Sequence, residues 1–317
     1  MPIAKRVSSA KLLATGDILN ILISGSTGLI GSATVASLAS RGHGIACLVR
    51  HAASGGGTDV EWHPGHPLDP QVLYSYDAVI HLAARSVAGR WNKSLREEIL
   101  ASRINGTRTI STAVAQSFRQ IGSPRVLISA SAIGYYGSRG EEILTENSPH
   151  GTGFLAEVGE KWEAATWTAK EAGVRVVLPR LGVVLSRQGG ALAKLLPPFR
   201  LGLGGRIGSG RQYLSWITLD DVTAAFDFFL RDTSIRGPIN LVAPNPVTNA
   251  EFTRAVATAV HGPAIFPLPA AIAKLVLGEM AEEVLLGSQR VMPEALQKAG
   301  FRFRDPELGP ALNRLLQ

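Results

Sequence analysis

The sequence predicts an α/β fold, a doubly wound parallel sheet followed by a smaller C-terminal lobe. Three observations carry this. Short apolar, β-branched runs alternate with helix-length segments up to about residue 186, the pattern of a parallel sheet covered on both faces. A glycine triplet, GSTGLIG at 25–31, lies between the first strand and the first helix. After Leu185 glycine and proline become frequent and the pattern loosens.

The elements follow in order. Asn20–Ser24 (NILIS) is a short buried strand, and Ser32–Arg41 a helix closed by Gly42. Gly44–Arg50 (GIACLVR) is a second strand, and Val72–Tyr76 leads into a third, Asp77–Leu82 (DAVIHL). Lys93–Gln116 reads as helix, Arg125–Ala130 as strand, Phe154–Ala172 as helix, and Val174–Leu178 and Val183–Leu185 as strands. The Gly- and Pro-rich stretch QGGALAKLLPPFRLGLGGRIGSGRQ reads as a long connection with little regular pattern, and such loops are usually functional or mobile. Leu219–Leu230 is an amphipathic helix with Asp220 and Asp221 in its first turn, where the helix dipole favours acids. Ile239–Val242 is a strand. Thr248–Val260 is a helix that Thr248 caps, Glu251 completing a capping box. Further helical pieces lie in 264–317, broken by Pro267, Pro269, Pro293 and Gly300.

The organisation expected is a disordered leader over 1–18, a nucleotide-binding domain over 19–186 to which 216–243 returns, and a substrate lobe from 187–215 and 244–317. The leader has no secretory apolar region.

Composition excludes several classes. With 45% hydrophobic and 18% charged residues the chain can fold around a core. Cys47 is the only cysteine, so no disulfide framework exists within the chain. No uncharged apolar run reaches the ~18 residues of a membrane span. The net charge of +7 raises nucleic acid as a partner. Its distribution points elsewhere: between Glu171 and Asp220 there is no acid, while Arg175, Arg180, Arg187, Lys194, Arg200, Arg206 and Arg211 are all basic. Glycines rather than aromatics punctuate this stretch, so base stacking has few platforms. A local anion site or a solvated basic face remains.

Gly25, Gly28 and Gly31 stand at the strand–helix turn with a dinucleotide-binding spacing. The first permits the tight turn, the second lets backbone approach a pyrophosphate, and the third lets helix and strand pack closely. The phosphates would meet the helix N-terminus. Thr27, Leu29 and Ile30 complete the cradle. The second strand ends in Val49, Arg50 and His51, with no acid before Asp59. An acid there would bind a ribose hydroxyl and repel a 2′-phosphate, whereas Arg50 can fork onto that phosphate. NADP(H) is therefore expected over NAD, unless Arg50 is merely a solvated strand end.

With HLAA (81–84), NGT (105–107), SASAIGYYG (129–137), PRLGVVL (179–185) and WITLDDV (216–222), the chain resembles the extended short-chain dehydrogenase/reductases of the nucleotide-sugar epimerase/dehydratase superfamily. More narrowly it is similar to an atypical subgroup, the "epimerase family proteins", through Arg90–Trp91, Lys161–Glu163, LPPFRLGLGG (196–205), IGSGRQ (207–212) and GSQRVMPEALQKAGFRF (287–303). The resemblance runs from about Asn20 to Leu316. It implies a Rossmann-type domain that binds NAD(P) and a C-terminal lobe that closes over substrate. By position it implies that Leu82, Ala83 and Ala84 line the adenosine or pyrophosphate side. Glu98 and Arg103 match cofactor-contacting positions, Ser129 joins them, and Val184 falls near the nicotinamide.

The superfamily's chemistry uses a Tyr and a Lys four residues apart on one helix. The tyrosines here are 74, 76, 135, 136 and 213, and four residues on stand Ala78, Ile80, Arg139, Gly140 and Ile217. The expected pair corresponds to Leu155 and Gly159. Ser131 matches the family's catalytic serine, with Ser129 two residues earlier on the same strand face. Tyr135 and Tyr136, on the following loop, are the remaining acids if Arg180 or Lys161 depresses a hydroxyl pKa; otherwise they are packing residues. Arg206 and Arg211 on the glycine-rich segment are candidates for holding an anionic substrate.

No metal site is expected, since His63 and His66 have no carboxylates at ligand spacing. Neither a G-x-S-x-G elbow nor a Walker A sequence occurs. The expectation is a cytoplasmic NADP-dependent oxidoreductase or epimerase-like enzyme acting on a small, anionic substrate. It has no nucleic-acid or membrane partner, and a homodimer is its candidate assembly. The alternative is a non-catalytic NADP-binding regulatory protein, since some relatives in the resembled family carry cell-division names.

Overall fold

A computed structural model describes residues 18–51 and 59–317. Of the leader expected over 1–18, residues 1–17 lie outside the described residues. The chain opens with β1 (Asn20–Ser24), α1 (Leu29–Ser40), β2 (Gly44–Val49), β3 (Val60–Glu61) and β4 (Ala78–His81). Next come α2 (Lys93–Ile121), β5 (Val126–Ser129), β6 (Ser131–Ala132) and β7 (Ile143–Leu144). Then follow α3 (Phe154–Ala164), α4 (Trp167–Glu171), β8 (Arg175–Leu181) and β9 (Val183–Ser186). The later elements begin with α5 (Gly190–Arg200), β10 (Tyr213–Leu214), β11 (Trp216–Thr218), α6 (Leu219–Arg231) and β12 (Gly237–Leu241). They end with β13 (Val247–Thr248), α7 (Asn249–Ala259), α8 (Ala270–Leu277), β14 (Arg290–Val291), α9 (Glu294–Lys298) and α10 (Leu308–Leu316).

The main sheet has the order β3-β2-β1-β4-β5-β8-β12, all neighbours parallel, with β6 pairing onto β8. The order reverses between β1 and β4, which is where ligands bind in sheets of this Rossmann type. Alternation along β1 shows why both faces are covered. Ile21 and Ile23 pack with Phe226 and Phe229 of α6, whereas Leu22 packs with Ile110 and Val114 of α2. The Asn92 carboxamide oxygen caps α2 by accepting from the Leu95 N–H at 2.8 Å. That helix runs past the expected end at Gln116 because Ser117 is buried and the left-handed Gly122 (φ 73°) supplies the stop five residues later.

Two expectations are corrected. The segment 154–172 is two helices: the Thr166 hydroxyl donates to the Glu163 carbonyl at 2.7 Å and the chain turns there. The stretch 188–212 is only partly irregular, because α5 occupies 190–200. Leu192, Leu196 and Phe199 recur at helical spacing and are buried with Phe252 and Val256 of α7. Pro197 and Pro198 stand in its last turn, where their carbonyls still accept from Leu201 and Leu203. The capping box of α7 forms as read. The C-terminal segment returns to the sheet: Leu296 of α9 joins the α6 face, with Phe301 and Phe303 packed against it. Among the described residues no helix is long and apolar enough to cross a membrane.

Candidate functional site

Two of the three glycines, Gly25 and Gly31, are required by the turn after β1. Gly25 has φ 75°, and a Cβ there would lie 2.7 Å from the Ala83 nitrogen and the Leu82 carbonyl carbon. A Cβ on Gly31 would lie 2.0 Å from the Gly25 oxygen, so no side chain fits. A Cβ on Gly28 would meet only the Gly25 oxygen, at 3.4 Å, and the residue's backbone is extended. Gly28 is therefore not required by the turn itself; the space beside it is open. It is also the N-cap of α1, with no side-chain cap and no acid in the first turn. The first-turn N–H groups of Leu29, Ile30 and Gly31 have no carbonyl one turn back to bond. A diphosphate fits this cradle.

Neighbouring elements converge on the turn. Ser24 pairs in register with Leu48, so Gly25 and Val49–Arg50 leave the sheet side by side. Arg50 is exposed and makes no ion pair among the described residues. Thr27 is exposed, and Ile30 packs on the core. Ser24 Oγ lies 2.6 Å from His81 Nδ1 and accepts the Leu82 N–H at 3.2 Å, which fixes the strand end carrying Leu82, Ala83 and Ala84. Burial pushes the His81 imidazole down to about 4, so it is neutral at pH 7. Leu29 meets the segment after β9: Cβ atoms on Gly189 and Gly190 would approach its side chain to 3.3 and 3.2 Å. Gly190 in turn lies against the Val184 carbonyl.

Glu98 and Arg103 make contacts within the chain. Glu98 pairs with Arg85 at 3.1 Å. Arg103 is buried, donates to the Arg85 and Ile99 carbonyls and stacks 4.8 Å from the Trp162 ring. Both tie down the segment after β4.

The second half of the site is a buried polar network, of which the sequence offered Ser131, Tyr136 and Arg180 as candidates but not Glu163, Asn240 or the bonds that join them. Arg180 grips Glu163 with two bonds of 2.8 Å, from Nε and Nη2. The Ser131 hydroxyl donates to the same carboxylate at 2.7 Å. Arg180 Nη1 also donates to the Tyr136 hydroxyl at 2.8 Å, and that hydroxyl donates to Asn240 Oδ1 at 2.7 Å. Burial opposes the charge on Arg180, but Glu163 holds its pKa above the ordinary value.

The two tyrosines stand on a 3-10 turn, Ile133–Tyr136, rather than on a loop. For Tyr136 the expected depression of the hydroxyl is reversed: burial, only partly offset by Arg180, pushes it up to about 12. Its ring is fully buried. Tyr135 is different. It is half-buried, its ring centroid is 3.6 Å from the Arg180 guanidinium carbon, and its hydroxyl has no hydrogen-bond partner among the described residues.

The face of α3 explains this geometry. Leu155 packs on Gly134, and a Cβ on Gly159 would lie 3.0 Å from the Tyr135 Cα. The turn sits where a tyrosine–lysine helix would need room for side chains. Glu163, four residues beyond Gly159, reaches Ser131 and Arg180. Continuing the four-residue spacing from 155 and 159 would have flagged it. Lys161 faces away and pairs with Glu157 at 2.5 Å. Ser129 and Ser131 are not on one continuous strand: β5 pairs with β4 and β8, while β6 pairs with β8 alone. Ser129 Oγ is buried without a partner among the described residues, as is the Nε2 of its register neighbour His81. Arg206 and Arg211 are exposed on a loop pinned by the Asn249 Oδ1 bond to the Ile207 N–H and by Gln212 donating to the Ile207 and Leu285 carbonyls.

Residues 21–241 match the NAD dependent epimerase/dehydratase family, and residues 268–315 match a domain of unknown function, DUF1731. The chain is 43% identical over 294 residues to "Epimerase family protein Mb2239" of Mycobacterium bovis, covering 92% of this chain and 96% of that protein. A solved structure of human epimerase family protein SDR39U1 with NADPH superposes with a TM-score of 0.84 at 33% identity, covering 94% of this chain and 99% of that one. The structure described as a nucleoside-diphosphate sugar epimerase from Corynebacterium glutamicum gives a TM-score of 0.79 at 39% identity. It covers 95% of this chain, which spans 59% of that longer one.

Proposed function

The chain belongs to the NAD dependent epimerase/dehydratase family, and from this we propose that it binds NADPH and acts as an oxidoreductase or epimerase-like enzyme on a small anionic substrate. The observation that carries the reading is the α1 N-terminus without a side-chain cap beside Arg50, whose guanidinium makes no ion pair among the described residues. NADPH in the similar human structure supports the choice of nucleotide.

In this reading the backbone of 25–31 holds the diphosphate and Arg50 the 2′-phosphate. Leu82, Ala83 and Ala84 flank the adenosine side, with Ser129 beneath, and Val184 lies toward the nicotinamide. When bound, the dihydronicotinamide supplies hydride to a carbonyl carbon. The chain's task is to supply the matching proton to the carbonyl oxygen, and Tyr135 is the donor. Its hydroxyl has no hydrogen-bond partner among the described residues, and Arg180 stacks against its ring to hold it in place. Ser131 cannot give its proton to substrate while a carboxylate accepts it, so it acts as an acceptor or through Glu163. Tyr136 is a packing member of the network. Arg206 and Arg211 provide forks for a phosphate or carboxylate.

The loss of the tyrosine–lysine pair to Leu155 and Gly159 favours a second reading, in which the nucleotide sets conformation and no turnover occurs. Titration of NADPH and NADH into wild type and Arg50→Ala tests the cofactor reading. NADPH should weaken by about tenfold or more, as expected for one lost charge-assisted phosphate contact, and NADH should change little. Equal loss of both would reject the role of Arg50. Absence of NADPH oxidation with anionic aldehydes and ketones, despite tight binding, would favour the second reading.

A further inference from the structure

Of the fourteen large apolar residues exposed among the described residues, nine lie between Leu201 and Val284. Single exposed apolar residues are ordinary, whereas a contiguous patch marks a contact surface. Here two exposed segments are joined. The loop after α5 runs beside the segment before α8: the Phe266 N–H donates to the Gly204 carbonyl, Leu268 to Arg206, and Gly208 to Leu268. The pairing sets Leu201 and Leu203 beside Ile265 and Phe266. Helix α8 then presents Leu275, 74% exposed, and Val276, while only its Ala273 is buried.

Around Leu201, Leu203, Ile265 and Phe266 the charge has one sign, and the acids Glu279, Glu282 and Glu283 begin only beyond the end of α8. No acid occurs between Glu171 and Asp220, nor from Phe252 to Gly278. Arg200 and Arg206, flanking Leu201 and Leu203, are exposed and make no ion pair among the described residues. Lys274 on α8 pairs with Glu282 at 2.7 Å, which places a carboxylate at the rim. A second copy docked across a two-fold axis would set this cationic face against itself. Exposed apolar side chains beside Arg200 and Arg206, which make no ion pair among the described residues, instead match the boundary of an anionic bilayer, where apolar side chains enter below the headgroups and cations meet lipid phosphates.

We infer that this face docks the protein on the surface of membranes containing anionic lipid. The expectation of no membrane partner rested on the lack of a span, which surface attachment does not need. The inference shares Arg206 with the proposed substrate loop and otherwise stands apart from the nucleotide chemistry.

Co-sedimentation of the full chain with vesicles of phosphatidylcholine, with and without phosphatidylserine, tests it. Binding should occur with phosphatidylserine, fall away at high salt, and be absent with phosphatidylcholine alone. The double variant Leu275→Asp/Val276→Asp should lose about tenfold in binding while keeping its melting temperature. Both positions are solvent-facing, and Arg200→Glu gives an independent variant with a several-fold loss if the helix variant misfolds. No sedimentation with anionic vesicles would overturn the inference, as would wild-type binding by the variants. A concentration-dependent dimer that Leu275→Asp/Val276→Asp dissociates would overturn it in favour of self-association.

Discussion

Replacing Glu163 by Gln probes the buried network with almost no change of shape. Arg180 and Glu163 have side chains 3% and 12% exposed. The carboxylate accepts three donors: Arg180 Nε, Arg180 Nη2 and the Ser131 hydroxyl. A glutamine can keep its oxygen toward Nε and Ser131, but its amide nitrogen then faces Nη2, donor to donor. Removing one partner of a buried ion pair costs about 3–5 kcal/mol. Arg180 retains the Tyr136 hydroxyl and the Tyr135 ring face, so the expected cost is at the lower end, about 3 kcal/mol. For a chain of this size that is a fall in melting temperature of roughly 5–10 °C. Lys161→Ala is the control. It breaks a pair whose side chains are 48% and 50% exposed, worth about 0.5 kcal/mol or less. Urea denaturation followed by tryptophan fluorescence gives both values. Equal, small effects for the two variants would refute the view that the network holds the site together.

Three further outcomes follow from the geometry. Tyr135→Phe should lower NADPH turnover by about a hundredfold, the low end of general acid catalysis, while leaving NADPH affinity unchanged; undiminished turnover would remove Tyr135 as donor. His81 has its folded pKa depressed to about 4 against about 6.5 unfolded, so the unfolded chain binds the extra proton between those values. Its contribution, about 3 kcal/mol, should be complete above pH 6.5 and be lost as pH falls toward 4. His81→Asn should flatten that part of the stability–pH curve, and an unchanged slope would contradict the burial argument. Gly31→Ala should destabilise the fold itself, because its Cβ would sit 2.0 Å from the Gly25 oxygen. A variant melting with wild type would show the turn to be looser than described.

What the sequence disclosed was local. The glycine turn was legible because the glycine spacing, the strand before it and the helix after it are consecutive, all within Asn20–Ser40. The α7 cap was legible for the same reason. Helix α5 was hidden because Gly189, Gly190, Pro197 and Pro198 mask a good apolar spacing at 192, 196 and 199. The break at Thr166 depends on one side-chain hydroxyl that no periodicity reports. The Arg180 network was illegible for a deeper reason. Its members come from β6, the 3-10 turn, α3, β8 and β12, and only the register of the parallel strands, Ser131 with Arg180 and Arg180 with Asn240, brings them together. Between the two alternatives for Tyr136, acid or packing residue, the sequence could not choose, because burial rather than charge dominates its hydroxyl.

The central claim is that the open space at Gly28 is the seat of a dinucleotide's diphosphate. Gly28→Val discriminates directly, because the extended backbone at Gly28 accepts a side chain and nothing in the turn obstructs it beyond a contact near 3.4 Å. Calorimetric titration with NADPH should show wild-type binding weakened by more than about tenfold in the variant, with the nucleotide-free melting temperature held within a few degrees. NADPH binding of equal strength in the two proteins, or none to wild type, would contradict the account.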